Sequence, residues 1–275
     1  MYKKLIRLSC LFLFFFCIMP EQGVAGIDPN SIPRTNFTRF DEDLDLSEQT
    51  TDISGNGWQW KASEKQLYLK GTTIAISGST QIIWPENTEI ILAEGTDNYL
   101  VCDGRYGFVE SEGNIKINGN GRLTICSNQD GMIIEGDCII ESGQIRIDAE
   151  DTGISATNYI QNGGVISIKS ESEGILAGNY IQNGGELSIK SASDGILADK
   201  VVMNNGQLNI DTHEDGIFTD NMEFNNGLME IKAGFAGIFT HEGKCVINDG
   251  ILKIGQASGC ADLLWGISVF DQAQL

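Results

Sequence analysis

Acidic side chains recur at one place in a repeated stretch of this chain, and their spacing is what could do chemistry. Asp130, Glu173, Asp194 and Asp215 stand directly before Gly-Met or Gly-Ile, while Asp151 and Glu214 stand one position earlier. The glycines that follow, Gly131, Gly153, Gly174, Gly195, Gly216 and Gly237, are separated by 22, 21, 21, 21 and 21 residues. If equivalent positions stack at the ~4.8 Å spacing of neighbouring strands, adjacent carboxylates repel. The repulsion is roughly 1 kcal/mol in water and about 3.5 kcal/mol at an effective dielectric of 20. A file of such groups either splays into solvent or shares a cation. Ca2+ takes about six to eight oxygen ligands, and glycine-rich corners add backbone carbonyls. The six acids are therefore candidate calcium ligands, with a solvated acidic turn as the alternative, since no EF-hand or GGxGxD loop is present.

The residues after each Gly-Ile offer a second chemistry. With Ile154, Ile175, Ile196, Ile217 and Ile238 pointing inward, positions one and three further on point outward. That exposes Leu176, Leu197, Phe218 and Phe239 in one column and Asp199, Asp220 and His241 in another. An apolar stripe flanked by acids suits sugar rings whose hydroxyls bond to the carboxylates, and exposed stripes of this kind mark contact sites. A shifted register, or a loop or chain lying over the stripe, is the competing reading.

Catalysis finds less support. A lyase acting on uronic acids needs Ca2+ or a basic cluster to neutralise the carboxylate, and a base to abstract the α-proton. Arg146 is the one arginine of the repeats, and Lys169, Lys190 and Lys232 share a column with Asp148 and Asp211 as a mixed-charge surface. His213 and His241 have no Ser or Cys partner at a suggestive spacing. No residue is assigned a catalytic role.

The elements that position these columns follow from the repeat itself. A second glycine file, Gly143, Gly164, Gly185, Gly206 and Gly227, keeps a 21-residue spacing, and Gly250 follows after 23. Between the glycines the pattern has period two, as in Ile166/Ile168, Leu187/Ile189 and Leu208/Ile210, which is strand alternation with one buried face. A unit this short cannot bury its apolar face alone, but stacked units turn the columns into continuous internal ladders. The expected fold is all-β: a single-stranded parallel β-helix with ~21-residue coils, right-handed by the general rule for parallel crossovers. Asn162, Asn183, Asn204 and Asn225, with Asn248 beyond them, are expected to bond along the stack.

Residues 129–255 carry the regular repeats, and residues 56–128 a looser version that reads as an irregular N-terminal cap. Residues 26–55 are polar and acidic without pattern, the mark of a flexible leader. Residues 256–275 read as an irregular or truncated last coil. Residues 1–25 have a basic start (Lys3, Lys4, Arg7), a 12-residue apolar run from Leu8 to Met19 and small residues at Gly23-Val24-Ala25. That is a secretory signal, and the run is too short to span a bilayer as a helix. An exported chain with no transmembrane segment after cleavage is expected, at the cell surface or outside it.

The formal charge is −20, from 18 bases and 38 acids, and loss of the signal takes away three bases and one acid to leave about −22. Such a surface repels nucleic acid and anionic membranes. It favours cations or uncharged partners such as neutral glycans. Five cysteines remain in the mature chain, an odd number without CxxC spacing, which argues against a disulfide framework or a zinc site.

With the acid-Gly-Ile corners SESEGILAG, SASDGILAD and HEDGIFTD and the NGG-x-(I/L)-x-I strands in view, residues 120–255 resemble a bacterial family. It comprises the secreted carbohydrate-binding domain-containing β-helix proteins, with a pectate-lyase-like fold. The resemblance implies calcium binding and binding of plant polysaccharides, cellulose and polygalacturonate among them, without clear catalysis. It places the family's acidic corner on Asp130, Asp151, Glu173, Asp194, Glu214 and Asp215, and since only Glu214-Asp215 is a full pair, it centres a metal on the middle coils. A calcium-dependent polysaccharide lyase of the same fold and a structural, adhesin-type surface repeat are the alternatives.

Overall fold

A computed structural model describes residues 36–78, 81–102, 109–241, 243–257 and 265–270. Each 21-residue unit lays down two strands, of about eight and six residues, such as Ile175–Gln182 and Glu186–Ser191. Every strand pairs in parallel with its counterpart in the next unit, so Ile154, Ile175, Ile196, Ile217 and Ile238 stand in one file. The short strands build a ten-stranded sheet and the long ones a sixteen-stranded sheet, which together form a β-solenoid of about nine turns. The described residues contain no helix.

The core is the space between the two sheets. The isoleucine file is at most 1% exposed, and Leu187, Leu208, Met229, Ile189, Ile210 and Ile231 close it from the other side. The two glycine files serve different needs. Gly143, Gly164, Gly185, Gly206, Gly227 and Gly250 all hold φ between +76° and +102°, or slightly more at Gly227 (+109°), the left-handed region that side chains disfavour. The file before the isoleucines is set by close approach instead. A Cβ on Gly195 would lie 2.5 Å from the Gly216 carbonyl oxygen and 2.5 Å from the Ile210 side chain.

One expectation is corrected. Residues 37–55, read as part of a flexible leader, are built into the fold. Phe37–Phe40 pairs in parallel with Thr73–Ile76, Leu44–Asp45 pairs with Ile82–Ile83, and Leu46 is buried. The segment lacks a repeat because it closes the stack once rather than recurring in it. Ile53–Gly55, Trp58–Lys61 and Gln66–Leu69 then run antiparallel, and the buried Trp58 and Trp60 fill the end of the core. Beyond residue 255, Trp265–Phe270 pairs in parallel with Ala236–His241 at an offset of 29 residues, longer than the 21 of the regular coils. Residues 1–35, with the expected signal, and 271–275 lie outside the described residues.

Candidate functional site

The long strand Ile175–Gln182 explains how the outward columns arise. Its side chains alternate from Ile175 (buried) through Leu176 (half-buried) to Ala177 (buried), then Gly178 and Asn179 both face out. Ladder pairing skips position 178, so the strand bends there. Leu176, Leu197, Phe218 and Phe239 lie in register on the outer face before that bend, as the sequence predicts. Leu176, Leu197 and Phe218, with Asp199 and Asp220 beside them, line a shallow groove of about 60 Å³ along the solenoid axis. Asp199 and Asp220 are exposed, and His241 Nδ1 lies 3.7 Å from Asp220 Oδ1 at one end of the column. The structure thus brings all seven residues of the expected sugar face together.

One detail differs from a flat platform of ring faces. The Phe218 and Phe239 rings stack on each other, centroids 4.9 Å apart and planes 14° off parallel. They belong to successive coils, so the stack runs along the axis and offers ring edges, not faces, to solvent. Contact with a ligand here is apolar packing of C–H edges and leucine methyls, with the carboxylates supplying direction.

Three of the six corner acids bond to backbone amides. Asp130 Oδ1 accepts from the Thr152 backbone N–H at 3.0 Å, Asp194 Oδ1 from that of Asp215 at 3.0 Å, and Asp215 Oδ1 from that of Ala236 at 2.8 Å. Each carboxylate caps the backbone of the coil above it at a bend where the strand ladder offers that N–H no partner. Glu173 is buried against the Ser172 and Thr152 hydroxyls, at 2.5 and 3.4 Å, whereas Asp151 and Glu214 are exposed. Burial raises the Asp194 carboxyl to about 7 and that of Asp215 to about 6, helped for Asp194 by Asp215, Glu214 and Glu173 and for Asp215 by Glu214. Asp130 is raised by burial too, with Asp151 adding to it. Among the described residues no group of three or more His, Cys, Asp or Glu side chains is arranged to hold a metal. The corner thus sets an amide donor against Asp130, Asp194 and Asp215 and hydroxyls against Glu173, and leaves Asp151 and Glu214 to solvent, a set without the converging oxygens that Ca2+ takes.

The asparagine file is present: Asn183, Asn204, Asn225 and Asn248 each donate from Nδ2 to the Oδ1 of the asparagine one coil below, at 2.6–2.9 Å. Asp148, Lys169, Lys190, Asp211 and Lys232 share one file as expected, but Asp148 is buried, held by two bonds from Arg146. Cys102, Cys126 and Cys138 are buried free thiols and Cys245 is a half-buried one. Sequence reasoning missed the interior after the bend. Tyr159 and Tyr180 stack there, fully buried with centroids 5.3 Å apart, and each hydroxyl donates to the buried Gln161 or Gln182. The signal was available in NYIQNGG written twice, but strict alternation from Ile175 assigns those side chains to the wrong face. A larger hollow of about 290 Å³ lies at the capped end between Ser54, Gly57, Trp58 and Lys70, away from these columns.

Among the described residues no helix is long and apolar enough to cross a membrane. No curated protein and no solved structure matches the chain significantly. One family profile does, over residues 59–215, a span that takes in the later cap strands, the acids of four acid-Gly corners, and the start of the groove. That match covers more than half of the sequence and agrees with the solenoid, so the chain belongs to the family of carbohydrate-binding domain-containing proteins.

Proposed function

We propose that this is an exported protein that holds a polysaccharide along the Leu176–Phe239 column without calcium at the corner acids. The observation that carries the reading is the groove itself. Leu176, Leu197 and Phe218 form its apolar floor, and Asp199 and Asp220 stand at its rim as acceptors for hydroxyls. The column runs along the solenoid axis with one side chain per coil, a periodicity matched to an extended polymer. Its acidic rim, on a chain of net charge −20, disfavours uronate polymers such as pectate and favours uncharged ones.

Depletion from solution by insoluble polymers tests this. Microcrystalline cellulose, insoluble xylan and chitin are the uncharged panel, and calcium pectate gel is the anionic one. The double substitution Leu197→Thr with Phe218→Thr keeps strand preference while removing the floor. It is expected to weaken retention on the best polymer by about tenfold or more, ~1.4 kcal/mol. EDTA is expected to leave retention unchanged, and pectate to retain less than the uncharged polymers. Full retention by the double variant would remove the groove from consideration, and loss on chelation would restore calcium to the mechanism. Export is checked separately by N-terminal sequencing of secreted protein, with cleavage expected near Ala25.

A further inference from the structure

The bend at Gly178-Asn179 creates a second outward face that the groove does not include. Ile139, Ile160, Ile181 and Val202 stand in register on successive coils after the bend. All four are half-buried and point away from the core, between the inward Tyr180-type and Gln182-type files. Polar files flank this aliphatic strip on both sides. On one, Asn179 donates to Asn158 and Asn158 to Asp137, each at 2.6 Å. On the other, Asn204 donates to Asn183, Asn183 to Asn162 and Asn162 to Glu141, at 2.8–3.1 Å.

A carboxamide has two N–H donors and an oxygen with two lone pairs. Along each file one N–H and one lone pair are consumed by the neighbours above and below. The remaining N–H and lone pair of Asn162, Asn183 and Asn204, all exposed, recur once per coil at the ~4.8 Å strand spacing. A vicinal diol presents the same combination of donor and acceptor, and the C–H face of a sugar ring matches an aliphatic strip. The five flanking amides are uncharged, with charge confined to the file ends at Asp137, Glu141 and the exposed Lys200, so the middle of this face selects a partner by hydrogen bonding and apolar contact.

We propose that the Ile139–Val202 strip, between its two asparagine files, is a second carbohydrate-binding face that takes an uncharged polysaccharide. It stands independently of the groove, because it rests on different side chains beyond a bend in the strand. Two faces turned apart by a bend engage separate polymer chains or separate surfaces of one particle, so the protein is bivalent and its retention reflects avidity.

The test uses four full-length proteins on cellulose, xylan and chitin: the parent, the groove variant (Leu197→Thr, Phe218→Thr), a strip variant (Ile160→Thr, Ile181→Thr) and their combination. Threonine preserves strand preference, and circular dichroism with thermal melting selects variants that remain folded. A second strip variant, Asn183→Leu, removes outward amide valences if the threonine pair fails to fold. The strip variant is expected to lose about tenfold in retention in both the parent and the groove-variant background. Retention unchanged by both strip variants overturns the second face while leaving the groove intact. Loss in the strip variant with none in the groove variant keeps the second face and overturns the groove. No retention of the parent on any of the three polymers overturns both. A parent that sediments as a dimer and a strip variant that sediments as a monomer would instead make this strip a contact between copies, which also overturns the proposal.

Discussion

Acidification from pH 8 to about 5.5 is expected to stabilise this protein, against the usual behaviour of carboxylate-rich chains. The cause is the pair Asp194 and Asp215, whose carboxyls sit at about 7 and about 6 in the folded protein. Both lie above the ordinary value of 3.8, so the folded state binds protons more tightly than the unfolded chain between those limits. Stability from this source is complete below the unfolded value and is lost as pH rises through 6 and 7. Every tenfold change in proton affinity corresponds to ~1.4 kcal/mol, and after discounting the half-exposed Asp215 for solvent screening the pair is worth about 3–5 kcal/mol. Lowered carboxyls elsewhere act in the opposite sense, but only as pH approaches their still lower range. Glu89 is one, where bonds from Gln66 and Lys116 outweigh its partial burial. Thermal melts at fixed ionic strength across pH 5.5–8 measure the slope. The substitution Asp194→Asn retains an oxygen for the Asp215 N–H and removes the charge, so it is expected to raise the midpoint at pH 8 and flatten the profile. A midpoint that climbs with pH, or an unchanged slope in the variant, would contradict this account. Calcium gives a further control: an ion held by these acids would depress both carboxyls and reverse the sign, so EDTA is expected to leave the profile as it is.

The second large effect is steric. Gly195→Ala introduces a Cβ that would lie 2.5 Å from the Gly216 carbonyl oxygen and 2.5 Å from the Ile210 side chain. Neither neighbour can retreat, because the carbonyl accepts the Ile196 N–H and Ile210 is core. Gly206→Ala meets the Gly185 carbonyl oxygen at 2.6 Å and is strained besides, at φ +102°. Overpacking of this kind costs about 3 kcal/mol. At roughly 2–4 °C per kcal/mol for a domain of this size, the midpoint falls by about 10 °C. Gly255→Ala is the control, since nothing lies within 4 Å of its Cβ, and it is expected to change stability by less than about 0.5 kcal/mol. Equal melting of Gly195→Ala and the control would mean that successive coils do not meet at these glycines.

How much of this was legible beforehand depends on where a residue sits in its unit. Two glycine files and a period-two pattern were enough to establish a stacked parallel solenoid, because only stacking lets so short a unit bury its apolar face. The column Leu176, Leu197, Phe218 and Phe239 was readable for the same reason: it lies one residue from the inward isoleucines, before anything disturbs the alternation. The amide file from Asn162 to Asn248 was readable because every member recurs at the same distance from a glycine that must take positive φ.

What lay beyond the bend was not. Two successive outward residues, Gly178 and Asn179, shift the alternation by one, so Tyr180 and Gln182 turn inward and Ile181 turns outward. Periodicity records parity along a straight strand, and a bend resets parity without leaving a mark in hydropathy. The cap escaped for another reason: Phe37–Phe40 and Leu46 act once, and a pattern that does not repeat has nothing to be compared with. The acids show the remaining limit. Sequence determined that carboxylates would stand on successive coils, but only the folded backbone decided their task. At the corner before the long strand, the N–H of residues 152, 215 and 236 donates to one oxygen of Asp130, Asp194 and Asp215.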